Sequence, residues 1–104
     1  MKSDQAVTAL AALAQPTRLA IFRLLVEAGE EGLVVGSIGK AVGVAPTTLS
    51  FHLKTLAHAG LVDTRQQGRF VFYSASFKTM FGLIDYLTDD CCGGNIAACK
   101  PGGK

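Results

Sequence analysis

The three cysteines of this 104-residue chain, Cys91, Cys92 and Cys99, stand together in the run CCGGNIAAC. A closed structural zinc site takes four ligands, whereas this run offers three thiols and no imidazole. Three thiolates alone suit a soft trivalent metalloid, As(III) or Sb(III), whose lone pair fills the remaining position. Cd(II), Pb(II) or another soft cation would use the same atoms, and so would a thiol redox or reactive-sulfur switch. Buried structural cysteines are the bland alternative, but the run is glycine-rich and follows the last apolar helix, so little core is left for them. A Cys91–Cys92 bridge would be strained, because adjacent α-carbons lie about 3.8 Å apart, below the usual disulfide range.

A second chemical stretch runs from Gly43 to Gly60, GVAPTTLSFHLKTLAHAG. Gly43 suits a left-handed turn, and Pro46 pre-sets the first turn of a helix. Leu49, Leu53, Leu56 and Ala57 fall on one helical face. The other face is expected to carry Thr47, Thr48, Ser50, Phe51, His52 and Lys54: short donors and acceptors, one ring, one cation and no carboxylate. Such a face suits a DNA major groove, although any surface helix has a polar outside. Shortly after it, Leu61–Gln66 and Arg69–Ser74 read as strands around the tight turn Gln67-Gly68. The hairpin tip carries Arg65, Gln66, Gln67 and Arg69, which fits a wing whose cation holds phosphate or enters a minor groove.

Other elements must position these groups. Ala6, Leu10 and Leu13, or Val7, Leu10 and Ala14, give a first helical stripe on a segment too short to be stable alone. Pro16 breaks and restarts the chain, and Arg18–Ala28 is apolar enough for a helix buried on most sides, ended by Gly29. Leu33-Val34-Val35 is at most a minor strand. Gly36 or Ser37 is expected to cap a short helix holding Ile38, Ala41 and Val42 inward, closed by Gly43. Two short helices around a glycine turn make a helix-turn-helix. Ser76 caps a last helix to Thr88, with Phe77, Met80, Phe81, Ile84 and Leu87 as one stripe and Leu83 and Tyr86 widening it. That is more apolar surface than one small domain needs. Leu10, Leu13, Phe81, Ile84 and Leu87 are therefore expected to form a two-fold dimer interface of first and last helices.

The residues then carry a resemblance. PTRLAIFRLL at Pro16–Leu25, LSFHLKTLAHAGLV at Leu49–Val62 and GRFVFYS at Gly68–Ser74, in this order, resemble the arsenic-repressor (ArsR/SmtB-type) family of winged helix-turn-helix repressors over about residues 4 to 88. The resemblance implies a mostly α fold with a small β-hairpin, ordered α-α-(β)-α-α-β-β-α. It also implies a homodimer that represses its own operon at a palindromic operator and releases it on binding a ligand. By motif position it assigns DNA contacts to Thr48, Ser50, Phe51, His52 and the wing around Arg69. Founding members carry a cysteine-x-cysteine pair where this chain reads LVVGSI. Zinc-sensing relatives place histidines and aspartates on the last helix, where this chain has only Asp85, Asp89 and Asp90. Some members bind arsenite through C-terminal cysteines, which the tail here would permit.

The expected organisation is a winged helix-turn-helix and dimerisation domain over 1–90 and a cysteine-containing tail over 91–104. No cofactor is expected for DNA binding; As(III) or Sb(III) is the expected inducer. A formal net charge of +2 is only mildly basic, so a nucleic-acid partner needs clustered cations or a dimer that doubles the field. Catalysis is disfavoured, since His52 and His58 share a helix with no adjacent nucleophile and no phosphate-cradling glycine loop occurs. A winged helix that binds protein instead of DNA is the remaining class. Lys2 and the apolar Ala6–Ala14 faintly imitate a secretion signal, but Asp4 and Gln5 oppose it and no apolar run spans a membrane, so a cytoplasmic location is expected.

Overall fold

A computed structural model describes residues 1–89 and 91–94. The elements are α1 (Ser3–Leu13), α2 (Pro16–Ala28), β1 (Leu33–Val34), α3 (Val35–Val42), α4 (Pro46–His58), β2 (Val62–Gln67), β3 (Phe70–Ala75) and α5 (Phe77–Thr88), followed by a 3₁₀ turn over Cys91–Gly94. This is the expected order, with the minor strand present. β3 lies centrally in an antiparallel sheet, paired to β1 through Leu33↔Tyr73 and to β2 from Val62↔Ala75 to Gln67↔Phe70. Among the described residues no single helix is long and apolar enough to cross a membrane.

The core is built from one residue set per helix. Ile21, Phe22 and Leu25 of α2 meet Ile38 of α3, Leu49, Leu53 and Leu56 of α4, and Leu83 of α5, with Leu61, Val62 and Ala75 closing the sheet side. Burying large aliphatic side chains stabilises such a domain by roughly 1.5–3 kcal/mol each. α2 is therefore buried along one face and not on most sides; Leu19 is exposed.

Several local expectations are corrected. α1 turns Ala6, Ala9 and Ala12 inward, leaving Val7 and Leu10 exposed and Leu13 half-buried against the core. Small residues let α1 lie close to its neighbours, so Leu13 belongs partly to the protomer's own core. α3 starts at Val35 behind Val34, whose extended backbone forms the N-cap with no side-chain bond, and neither Gly36 nor Ser37 caps it. The hairpin turn is Gly68-Arg69, one residue later than expected. The buried Val62↔Ala75 pair sets the register, and a slip by one residue would turn those side chains to solvent.

The helix-turn-helix is held by two glycines. Gly43 ends α3 in the left-handed conformation (φ 67°, ψ 40°), and its N–H and that of Val44 both donate to the Gly39 carbonyl. At Gly39 an added β-carbon would sit 3.1 Å from a Leu49 methyl and 3.3 Å from the Val44 carbonyl oxygen, so a side chain there would crowd the contact between α3 and α4.

Candidate nucleic-acid interface

α4 turns one face to solvent because its other face is committed to the core. Pro46 supplies the first turn, Ala45 stands extended before it without a side-chain cap, and the Leu49 N–H donates to the Ala45 carbonyl at 2.9 Å. Leu49, His52, Leu53 and Leu56 point inward. Thr47, Thr48, Ser50, Phe51 and Lys54 are exposed, so five of the six expected face residues share one solvent-facing surface.

His52 is the exception. It is 8% exposed and lies against Arg18 of α2, with its Nδ1 3.5 Å from the guanidinium Nη1. Arginine has donors only, so in this contact Nδ1 can take part only as the acceptor. Arg18 also donates from Nε to the Ala12 carbonyl at the end of α1, at 2.6 Å. Ala57, expected inward, is exposed. The inward stripe 49, 52, 53, 56 follows the helical repeat more closely than one that skips 52, and that spacing was the signal available in the sequence.

In the wing the tip residues differ in freedom. Arg65 is tied down: Nη1 donates to Gln67 Oε1 at 2.6 Å, Nη2 to the Glu31 carbonyl at 3.2 Å, and the guanidinium sits 4.6 Å from the centroid of the Phe72 ring, its cross-strand partner. Gln66 is exposed, with its amide 3.4 Å from the Gly68 carbonyl, and Arg69 is exposed in the turn itself. Phe70, which carried no expected role, is 61% exposed beside Arg69.

α5 is capped as expected, Ser76 Oγ accepting from the Thr79 N–H at 3.3 Å. It turns Leu83 into the core and leaves Phe81, Ile84 and Leu87 exposed, so three of the five expected dimer residues form an uncovered apolar stripe on this helix. Exposed Leu10 lies on α1, which packs beside it. An open groove of about 1000 Å³ lies where α1, the end of α4 and α5 meet, lined among others by Asp4, Thr8, His58, Lys78, Phe81 and Asp85.

Of the expected metal ligands, Cys99 and the side chains of Cys91 and Cys92 lie outside the described residues. Elsewhere among the described residues, no three of His, Cys, Asp and Glu form a cluster that could hold a metal ion.

A glycine-closed helix pair, a second helix with a hydroxyl-rich carboxylate-free face, and a hairpin with an exposed arginine in its turn define the winged helix-turn-helix class of DNA-binding domains. Residues 13–65 match the family model described as a helix-turn-helix domain. The HTH-type transcriptional regulator YceK of Bacillus subtilis is 40% identical over 73% of this chain and 79% of its own length. Nodulation protein NolR of Rhizobium meliloti is 35% identical over 77% of this chain, which spans 63% of NolR. A Halobacterium salinarum protein named ArsR, for arsenical resistance operon repressor, is 38% identical over 69% of this chain and 55% of its own. Among solved structures, a homodimeric winged helix-turn-helix DNA-binding domain from Mycobacterium bovis has a TM-score of 0.67 at 29% identity, covering 88% of this chain and 85% of that one. An ArsR-like regulator from Rhodococcus sp. RHA1 shares the fold at a TM-score of 0.76 and 22% identity, over 92% and 88% of the two chains. The chain belongs to the ArsR family of helix-turn-helix transcriptional regulators, which bind DNA and are not enzymes.

Proposed function

We propose that the chain is a cytoplasmic, homodimeric repressor that grips a palindromic operator and releases it when As(III) or Sb(III) is captured by the thiolates of Cys91, Cys92 and Cys99. The observation that carries this reading is a junction. The Cys91–Gly94 turn follows the end of α5 at Thr88 by two residues, and α5 bears the uncovered stripe Phe81, Ile84, Leu87. A ligand that gathers the tail thiols therefore acts at the end of the helix that would set the spacing of two DNA-reading heads. The donor set agrees with a soft trivalent ion, since the described residues supply no competing cluster and the tail no imidazole. The M. bovis homodimer and the H. salinarum name support the dimer and the inducer by likeness.

In the proposed complex Thr47, Thr48, Ser50, Phe51 and Lys54 face the major groove, Gln66 and Arg69 reach the backbone or minor groove, and His52 supports α4 from behind. Two heads about one DNA turn apart, roughly 34–36 Å, fit a palindrome. A hundredfold loss of operator affinity needs the ligand to favour the non-binding state by about 2.7 kcal/mol, within the usual range of allosteric coupling.

Operator binding by Cys91→Ser, Cys92→Ser and Cys99→Ser proteins tests the proposal under reducing conditions. Each variant is expected to hold DNA as tightly as the parent and to ignore arsenite. Normal arsenite release by all three removes the tail site. Release that instead requires an oxidant and is reversed by dithiothreitol replaces metalloid sensing with a thiol switch.

A further inference from the structure

Phe51 is the outlier on the exposed face of α4. It is 65% exposed, among Thr47, Thr48, Ser50 and Lys54, on a helix whose other large apolar side chains are buried. It is not part of a wider apolar patch on that face, which argues against a protein-docking surface. Nor is the ring without support. It meets the His52 imidazole edge-on, with centroids 6.0 Å apart and planes at 61°, and His52 is itself held against Arg18. Phe51 sits in the second turn of α4, four residues beyond Thr47, in the N-terminal half that reads base edges when such a helix enters the major groove.

A phenyl ring has no hydrogen bond to offer a base. Guanine, adenine and cytosine present polar atoms in the major groove, and thymine alone adds an apolar group, its C5-methyl. We propose that Phe51 is the specificity-determining residue for a thymine in each half-site, read through contact of the ring with that methyl. The inference rests on the reading that α4 enters the major groove, and goes beyond it by naming the base and the atom.

The test begins with duplexes selected by the full-length, reduced protein from a random-sequence pool. In the selected duplex, thymines are replaced by deoxyuridine one symmetry-related pair at a time, which removes the methyl and leaves every hydrogen-bonding atom. Wild-type affinity is expected to fall about fourfold per contacted methyl, hence about 15-fold for one symmetric pair. Phe51→Ala is expected to bind the thymine and uracil duplexes equally at that pair while keeping the wild-type salt dependence. Phe51→Leu, which preserves an apolar contact, should retain part of the preference. Methyl dependence that persists undiminished in Phe51→Ala, or a selected duplex with no methyl-sensitive pair, overturns this inference alone. A pool that yields no preferred duplex overturns the operator reading and this inference together.

Discussion

Arg18 and His52 stand together behind the exposed face of α4, the guanidinium Nη1 3.5 Å from the imidazole Nδ1. Arg18 Nε donates to the Ala12 carbonyl at the same time, and the Arg18 backbone N–H closes the start of α2 on Gln15 Oε1 at 2.7 Å. One residue thus joins the end of α1, the start of α2 and the inner face of α4. The last carbonyls of a helix lack intrahelical partners, so the bond to Ala12 satisfies a group that α1 alone leaves open. Because α1 would also contribute to the dimer, its position and that of the recognition helix share this contact.

Arg18→Ala is expected to lower the free energy of unfolding by about 1–3 kcal/mol, the range for losing charge-assisted hydrogen bonds at a partly buried site. Arg18→Lys should fall between, since an ammonium cannot reproduce a planar fork with two separate partners. Urea unfolding at one fixed protein concentration reads both, which matters for a dimer. His52→Asn, which keeps a short acceptor, should cost about 1–2 kcal/mol of stability yet leave operator affinity within about threefold under conditions where it is folded. A tenfold or larger loss of affinity with no loss of stability would make His52 a DNA contact after all.

The wing supplies a paired comparison. Arg69 is exposed in the turn, whereas Arg65 is held by Gln67, the Glu31 carbonyl and the Phe72 ring. Removing a cation that neutralises phosphate reduces the slope of log affinity against log salt by about 1 per contact, hence about 2 in a symmetric dimer. Arg69→Ala and Lys54→Ala are each expected to show that change. Arg65→Ala should leave the slope within about 0.5 of wild type, while hydrogen exchange at β2 and β3 speeds up. Equal salt effects for Arg65 and Arg69 would mean that the Arg65 contacts break on binding.

Element types and order were legible because each element carries a local signal: Pro16 and Pro46 at helix starts, Gly43 in the turn, Ser76 as a cap. The faces were harder to read. In α1, hydrophobic rank favours the leucines, yet close helix packing selects Ala6, Ala9 and Ala12 for the interior. In α5 the apolar stripe is wide enough to include both Leu83, which faces the core, and Ile84, which does not, so spacing cannot separate them. His52 departs from the rule that polar residues take the polar face, because its long-range partner Arg18 makes burial tolerable. Such partners are invisible to local periodicity. The shift of the hairpin turn has the same origin, since register follows the buried Val62↔Ala75 pair and not the turn residues alone.

The uncovered stripe on α5 gives the sharpest test of assembly. Phe81, Ile84 and Leu87 are 56%, 47% and 59% exposed, so none of them is needed to complete the protomer's core. Ile84→Glu should therefore leave the protomer folded, with wild-type far-ultraviolet circular dichroism, while an unpaired carboxylate forced into an apolar interface weakens self-association. At about 3–5 kcal/mol for a buried charge without a partner, the dimer dissociation constant should rise by at least about 100-fold. Sedimentation velocity at micromolar protein would then show monomers where wild type shows dimers. Operator affinity should fall in step, because each half-site contact must then be made as a separate bimolecular event. A dimeric Ile84→Glu protein with unchanged affinity would move the two-fold interface off α5, and with it the proposed route from the tail thiols to the DNA.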